Sequence, residues 1–262
     1  MPDSPTTLSD ASIPERGVAK IDSQTEPPAP KSVMTISAHP DDGEFTVAGT
    51  LAKWARAGSE IYVVCITSGD AGSNDPARDG AYKPELARLR EREQLAAGEV
   101  IGVRETIFLH YPDGELQHTL ELRRELTQLI RQYKPEAVLC SDPTVRFYGN
   151  SYMNHPDHRA AADAACDAVF PSAGTRLIFP ELLAEGWEPH SVKRLYLHGS
   201  EKPDTWIDIS ETIDVKIRAL RCHRSQVGDD SDLDRRMREW AEEDGKPRGL
   251  KYAEAFRVMV LD

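Results

Sequence analysis

The sequence predicts an α/β fold: a Rossmann-like three-layer sandwich with a mainly parallel sheet and a site at the carboxyl ends of its strands. Three observations predict it. Short apolar strands alternate with helices four times between residues 33 and 169. Those strands are apolar on both faces, as in IYVVCIT at 61–67, which marks a sheet covered on both sides by helices. A chain of 262 residues suits one large domain with a tail better than two independent cores.

The elements follow in order. Residues 1–31 hold six of the 18 prolines and show no period, so they read as a flexible N-terminal extension of a domain at 32–262. The opening Met1-Pro2-Asp3-Ser4-Pro5 lacks the basic start and apolar core of a signal peptide, so a cytoplasmic location is expected. A strand is expected at 33–38. A helix follows at 45–57, with Phe45, Ala48, Leu51, Ala52 and Ala55 in helical period and Gly58 as its stop. Residues 61–67 form the second strand and 68–83 a loop rich in Gly, Asp and Asn. The next helix spans 84–101, with Pro84 in its first turn. A strand at 106–109, a helix at 119–133, a strand at 137–140 and a helix at 156–169 complete the alternation. Beyond them come strands at 192–198 and 205–209, helices at 213–223 and 232–242, and a last strand at 255–261.

Charge and composition exclude whole classes. The net charge is −12, which disfavours a grip on a phosphate backbone, and no basic run is long. Apolar runs such as Ile61 to Ile66 fall far short of the roughly 20 residues of a spanning helix. Cys65, Cys140, Cys166 and Cys222 are far apart and form no CxxC pair. Neither a disulfide framework nor a thiolate metal site is expected. The eight histidines are the better ligand candidates.

In such sheets ligands sit at the carboxyl ends of the strands, and each of the first four ends here in acidic or His-bearing sequence. Two stretches stand out, His39-Pro40-Asp41-Asp42 and His155-Pro156-Asp157-His158. Each holds potential ligands three residues apart in a turn entering a helix. Imidazole with carboxylate suits zinc and other first-row divalent ions. The candidate ligands are His39, Asp42 and one or both of His155 and His158. A single His-Pro-Asp is ordinary turn and N-cap chemistry. Two of them, each after a predicted strand, weigh against that reading. Adjacent carboxylates at 41 and 42 would repel each other without a cation; with a metal, one of the two can ligate while its neighbour stays free as a base.

These residues carry a resemblance to a known family. The chain resembles the LmbE-like, or PIG-L-like, zinc-dependent N-acetylglucosaminyl deacetylases over most of residues 33–225. The hallmarks are AHPDDxE at Ala38 to Glu44 and HPDH at His155 to His158. Weaker signatures lie at Arg90 to Ala97, Leu109 to Leu116, Phe179 to Leu183 and His223 to Gln226. The resemblance implies one Zn2+ per chain, or another divalent first-row metal, held by His39, Asp42 and His158. It implies Asp41 as general base, His155 as oxyanion stabiliser and Asp157 as the carboxylate that orients His155 and favours its charged form. Arg90 and Asp113 become substrate-binding residues. It also implies a homo-oligomer, a trimer or hexamer. One position departs from the pattern: some relatives carry Tyr two residues before His155, where this chain has Met153, with Tyr152 beside it.

Other residues have plainer readings. Arg90, on a charge-rich helix, by itself reads as a surface ion pair, Asp113 as a turn residue and His223 as a helix C-terminal cap. Trp54, Trp187, Trp206 and Trp240 read as packing residues. The loops at about 69–83, 143–153 and 226–250 are expected to shape the pocket. The leading expectation is a hydrolase that removes acetyl from an N-acetylated amino sugar or its conjugate, with a small-molecule substrate, no nucleic acid and no membrane span. The alternatives are a metal-dependent phosphoesterase, which would favour two metals about 3.5–4 Å apart, and a non-catalytic sugar-binding relative.

Overall fold

A computed structural model describes residues 26–261. Residues 1–25 of the extension expected at 1–31 lie outside the described residues. Residues 26–31 run along the domain. Lys31 N–H donates to Glu136 Oε2 at 2.8 Å, and Lys53 pairs with Glu26 at 2.5 Å.

A seven-stranded sheet forms the centre, in the order β3-β2-β1-β4-β7-β9-β8. Its strands are β1 (Ser32–Ser37), β2 (Glu60–Thr67), β3 (Glu105–Tyr111), β4 (Ala137–Ser141), β7 (Arg194–His198), β8 (Thr205–Asp208) and β9 (Ala253–Val260). The first five in spatial order are parallel, with Val33 of β1 opposite both Ile61 and Ala137. β9 runs antiparallel between β7 and β8. A two-stranded hairpin, β5 (Phe147–Tyr148) and β6 (Tyr152–Met153), stands in the stretch expected as loop.

Side chains alternate across each strand, so neighbours in β1 serve opposite cores. Val33 packs with Leu51, Trp54 and Leu220 beneath α2 (Ala48–Arg56), α3 (Lys83–Ile101), α7 (Ile213–Leu220) and α9 (Leu233–Gly245). Met34 packs with Val64, Leu126 and Ala165 beneath α4 (Leu120–Tyr133) and α5 (Pro156–Asp167). This is the predicted three-layer sandwich.

The helix expected at 45–57 is two helices, α1 (Asp42–Thr46) and α2, broken at Val47. The orphan amides at the start of α2 explain why a second helix begins there. Glu254 of β9 accepts Gly49 N–H at 3.0 Å and Thr50 N–H at 2.7 Å, and Lys216 of α7 neutralises it at 2.6 Å. Both partners of this pair are buried. Gly49 admits close packing, since a Cβ there would lie 2.8 Å from Ile209. None of these partners is near residue 47 in sequence, so local periodicity cannot reveal the break.

Candidate active site

The strand order reverses direction between β1 and β4, and a crevice opens at their carboxyl ends. The β1 end carries His39 to Asp42 directly into α1. Across the crevice, Asn154 to His158 lead into α5, where His155 is the N-cap. Asp41 sits at φ 94°, in the left-handed region that a non-glycine residue occupies at a cost of about 1–3 kcal/mol. Helix α3 holds it there. Gln94 Oε1 accepts Asp41 N–H at 3.0 Å, and Arg90 Nη2 donates to Pro40 O at 2.6 Å.

Three side chains from the two motifs converge. His39 Nε2 faces Asp113 Oδ1 at 2.9 Å and Asp157 Oδ2 at 3.4 Å. Its Nδ1 therefore faces inward, 3.7 Å from Asp42 Oδ2 and 3.2 Å from His158 Nε2. His158 Nε2 lies 3.1 Å from Asp42 Oδ1. The ligand atoms of His39, Asp42 and His158 all fall within 4.8 Å of one another, as do those of His39, His155 and Asp157. The first set is the better metal cradle, because carboxylates already occupy the His39 nitrogen that the second would use. Two imidazole nitrogens and a carboxylate suit a divalent first-row ion.

The electrostatics agree. Burial disfavours charge on His39, yet its bonds to Asp113, Asp157 and Asp42 outweigh this and push it up to about 12. Asp42 is buried, but His158 and His39 hold it well below the usual carboxylate range. Asp113 is likewise drawn down to about 2 by His39 against its burial. A nest of carboxylates around one imidazole calls for positive charge. Asp41 differs. Burial lifts it to about 7, with Arg90 opposing and Asp42 reinforcing the rise. His155 is lowered, by burial and then by the charge of His39, so the charged form expected from Asp157 is not favoured. Asp157 stands 3.9 Å from His155 Nδ1 and instead accepts Gly114 N–H at 2.7 Å.

The model of the GlcNAc-PI de-N-acetylase (PIG-L) family matches residues 34–169. The diacetylchitobiose deacetylase of Thermococcus kodakarensis is 33% identical over 87% of this chain and 83% of its own. The chain belongs to the PIG-L family. Among solved structures, the N,N'-diacetylchitobiose deacetylase of Pyrococcus horikoshii superposes with TM-score 0.80 at 32% identity, covering 88% of this chain and 84% of that one. A 4-carboxy-2-hydroxymuconate hydratase from Pseudomonas putida matches with TM-score 0.72 at 21% identity, over 88% of this chain and 97% of its own. That likeness concerns the fold alone, so the choice of reaction rests on the site.

Within this PIG-L domain several residues stand elsewhere than their sequence readings suggest. Arg90 is buried rather than on the surface, and its guanidinium binds Pro40 O, Gly69 O and Asp41 Oδ2 within the protein. Asp113 turns toward His39. His223 is fully buried, with Nε2 3.4 Å from Glu44 Oε2, and is no exposed cap. Trp54 is core, but Trp240 is 56% exposed at the rim of a cavity. Met153 points outward and Tyr152 lines that cavity.

Two contributors escaped the sequence reading. Asn154 Oδ1 lies 3.2 Å from His158 Nδ1 and fixes Nε2 as the free nitrogen, while Asn154 Nδ2 donates to Val145 O at 3.0 Å. Gln94 bridges Asp41 and Glu44, donating to Glu44 Oε1 at 2.9 Å. Adjacency to HPDH was the one available signal for Asn154. For Gln94, a polar residue one turn after Arg90 was the hint.

Proposed function

We propose that this chain is a zinc-dependent N-deacetylase acting on an N-acetylated amino sugar or its conjugate. The observation that carries the reading is the convergence of His39, Asp42 and His158 with a second carboxylate, Asp41, beside them and outside the ligand set. Zinc held by the three would supply Lewis acidity and bring the pKa of water to about 7. Asp41, lifted toward neutrality, takes a proton from the attacking water and delivers it to the departing nitrogen. The His155 ring stands 5.2 Å from that of His39 and 5.4 Å from that of His158, centroid to centroid, and is partly open to solvent. It donates to the carbonyl oxygen as charge develops, a contribution of about 2.7–4 kcal/mol in comparable sites. Asp113 and Asp157 hold the His39 ring, and Arg90 holds Asp41.

The test is a screen for acetate and free amine released from N-acetylglucosamine, its oligomers and its inositol or malate conjugates. Turnover with about one zinc per chain supports the reading. Asp41→Asn is the informative variant, because Asn tolerates the left-handed backbone at 41. It should lower kcat by about 10²–10⁴-fold with zinc still bound. No acetate from any substrate, or two metals per chain, would overturn the proposal.

A further inference from the structure

A cavity of about 900 Å³ opens beside the cradle, near the upper end of small-molecule sites at roughly 300–1,000 Å³. Ligand residues Asp42 and His158 form part of its inner wall. Ile36, Ala38, Phe45, Ala161 and Ala162 make that wall largely apolar, and Ser37 and Ser141 add hydroxyls. The outer rim is formed by Tyr148 and Tyr152 of the hairpin, facing Trp240 and Asp244 of α9. His198 also lines it, and burial holds that imidazole down near 4, so it is neutral at pH 7. Asp41, Arg90, Asp113 and His155 are not among the residues lining this cavity.

We infer that this cavity receives the acyl side of the scissile amide, and that the chain accepts apolar acyl groups much larger than acetyl. The inference rests on the deacetylase reading and adds the acyl class. A trans amide sends its acyl carbon and its nitrogen substituent away from the carbonyl in opposed directions. The nitrogen must lie toward Asp41, which protonates it as it leaves. The acyl chain therefore points away from Asp41, and the cavity lies along the Asp42 and His158 side. Chemistry agrees with geometry. A sugar ring in this cavity could pair some hydroxyls with Ser37, Ser141, Asn154 or Asp244, but the walls are mainly alkyl and aromatic surface, against which its other hydroxyls would lose water at a desolvation cost. An alkyl or aryl chain meets no such cost and gains by leaving water.

The reaction is unchanged hydrolysis: water adds to the acyl carbon, the C–N bond breaks, and a carboxylate and a free amine result.

The experiment compares kcat/KM for glucosamine bearing acetyl, butyryl, hexanoyl, octanoyl or phenylacetyl groups, with the zinc-loaded chain. Burying one methylene is worth about fourfold, from about 0.8 kcal/mol. Hexanoyl should exceed acetyl by at least about tenfold. Trp240→Ala, at a half-exposed rim position, should reduce the octanoyl-to-acetyl ratio. Ala162→Phe should reduce it further, by filling the inner wall. Calorimetry gives a readout free of turnover: hexanoate should bind at least about tenfold tighter than acetate. A steady fall in kcat/KM beyond acetyl, with hexanoate no tighter than acetate, would overturn the inference and leave the deacetylase reading standing. Failure to cleave any member, acetyl included, would instead refute the deacetylase reading.

Discussion

Gln94 Oε1 accepts the backbone N–H of Asp41 at 3.0 Å, joining the middle of α3 to the one non-glycine residue of the HPDD turn with positive φ. Arg90, one turn earlier on the same helix, grips the preceding carbonyl and the Asp41 carboxylate. A long, regular helix thus holds a short, strained turn in the geometry that aims the Asp41 carboxylate.

Gln94→Leu removes this hold while keeping the ligands. The expected result is a fall in kcat of about 100-fold, the usual consequence of misplacing a catalytic group by about 1 Å. KM and zinc content should stay near their original values. Steady-state kinetics with metal analysis checks this; unchanged kcat would show that Arg90 alone suffices.

Asn154→Ala frees His158 to turn and to change tautomer. Zinc affinity should drop by about 10–100-fold, as for other partners that orient metal-binding histidines. Asp113→Asn should act in the same direction through His39. Chelator competition measures both, and affinities equal to the parent would remove these residues from the metal's supporting shell.

His198 gives stability a pH signature. Burial depresses its pKa from 6.5 to about 4. Between those values the unfolded chain binds the proton and the folded chain does not. Stability therefore falls as pH drops from about 6.5 and levels off below about 4, by at most about 3 kcal/mol from this residue. Urea unfolding at pH 7 and pH 4.5 should show a smaller difference for His198→Gln than for the parent. Equal differences would contradict the assignment.

Lys216→Met leaves Glu254 buried beneath α2 without its partner. Loss of one member of a buried pair costs about 3–5 kcal/mol. Thermal unfolding should register it as a clear drop in Tm. The double variant Lys216→Met with Glu254→Gln should recover part of the loss, because no uncompensated charge remains.

The alternation of apolar strands and helices was legible without coordinates, because a strand buried on both faces cannot be written in polar residues. So were both metal-site motifs, since a divalent ion demands nitrogen and oxygen donors and few residue types supply them. His39, Asp42 and His158 are local to two short stretches, and their convergence follows from strands that end at the same edge of one sheet. The partners of those residues were not legible. Arg90 looks like a surface charge on a charged helix, and only the packing of α3 against the HPDD turn buries it. Asp113 fits a turn until the fold brings it to His39, 74 positions earlier in the chain. The break at Val47, the Glu254 clamp and the cavity between hairpin and α9 are likewise products of distant segments meeting. The layers, the candidate ligands and the proposed base could be read from residue type and short-range spacing. The tertiary structure alone decided which nitrogen of each histidine is free, what holds Asp41 in its strained turn, and how much space lies beside the cradle. Those depend on hydrogen bonds and packing between residues whose separation along the chain carries no signal.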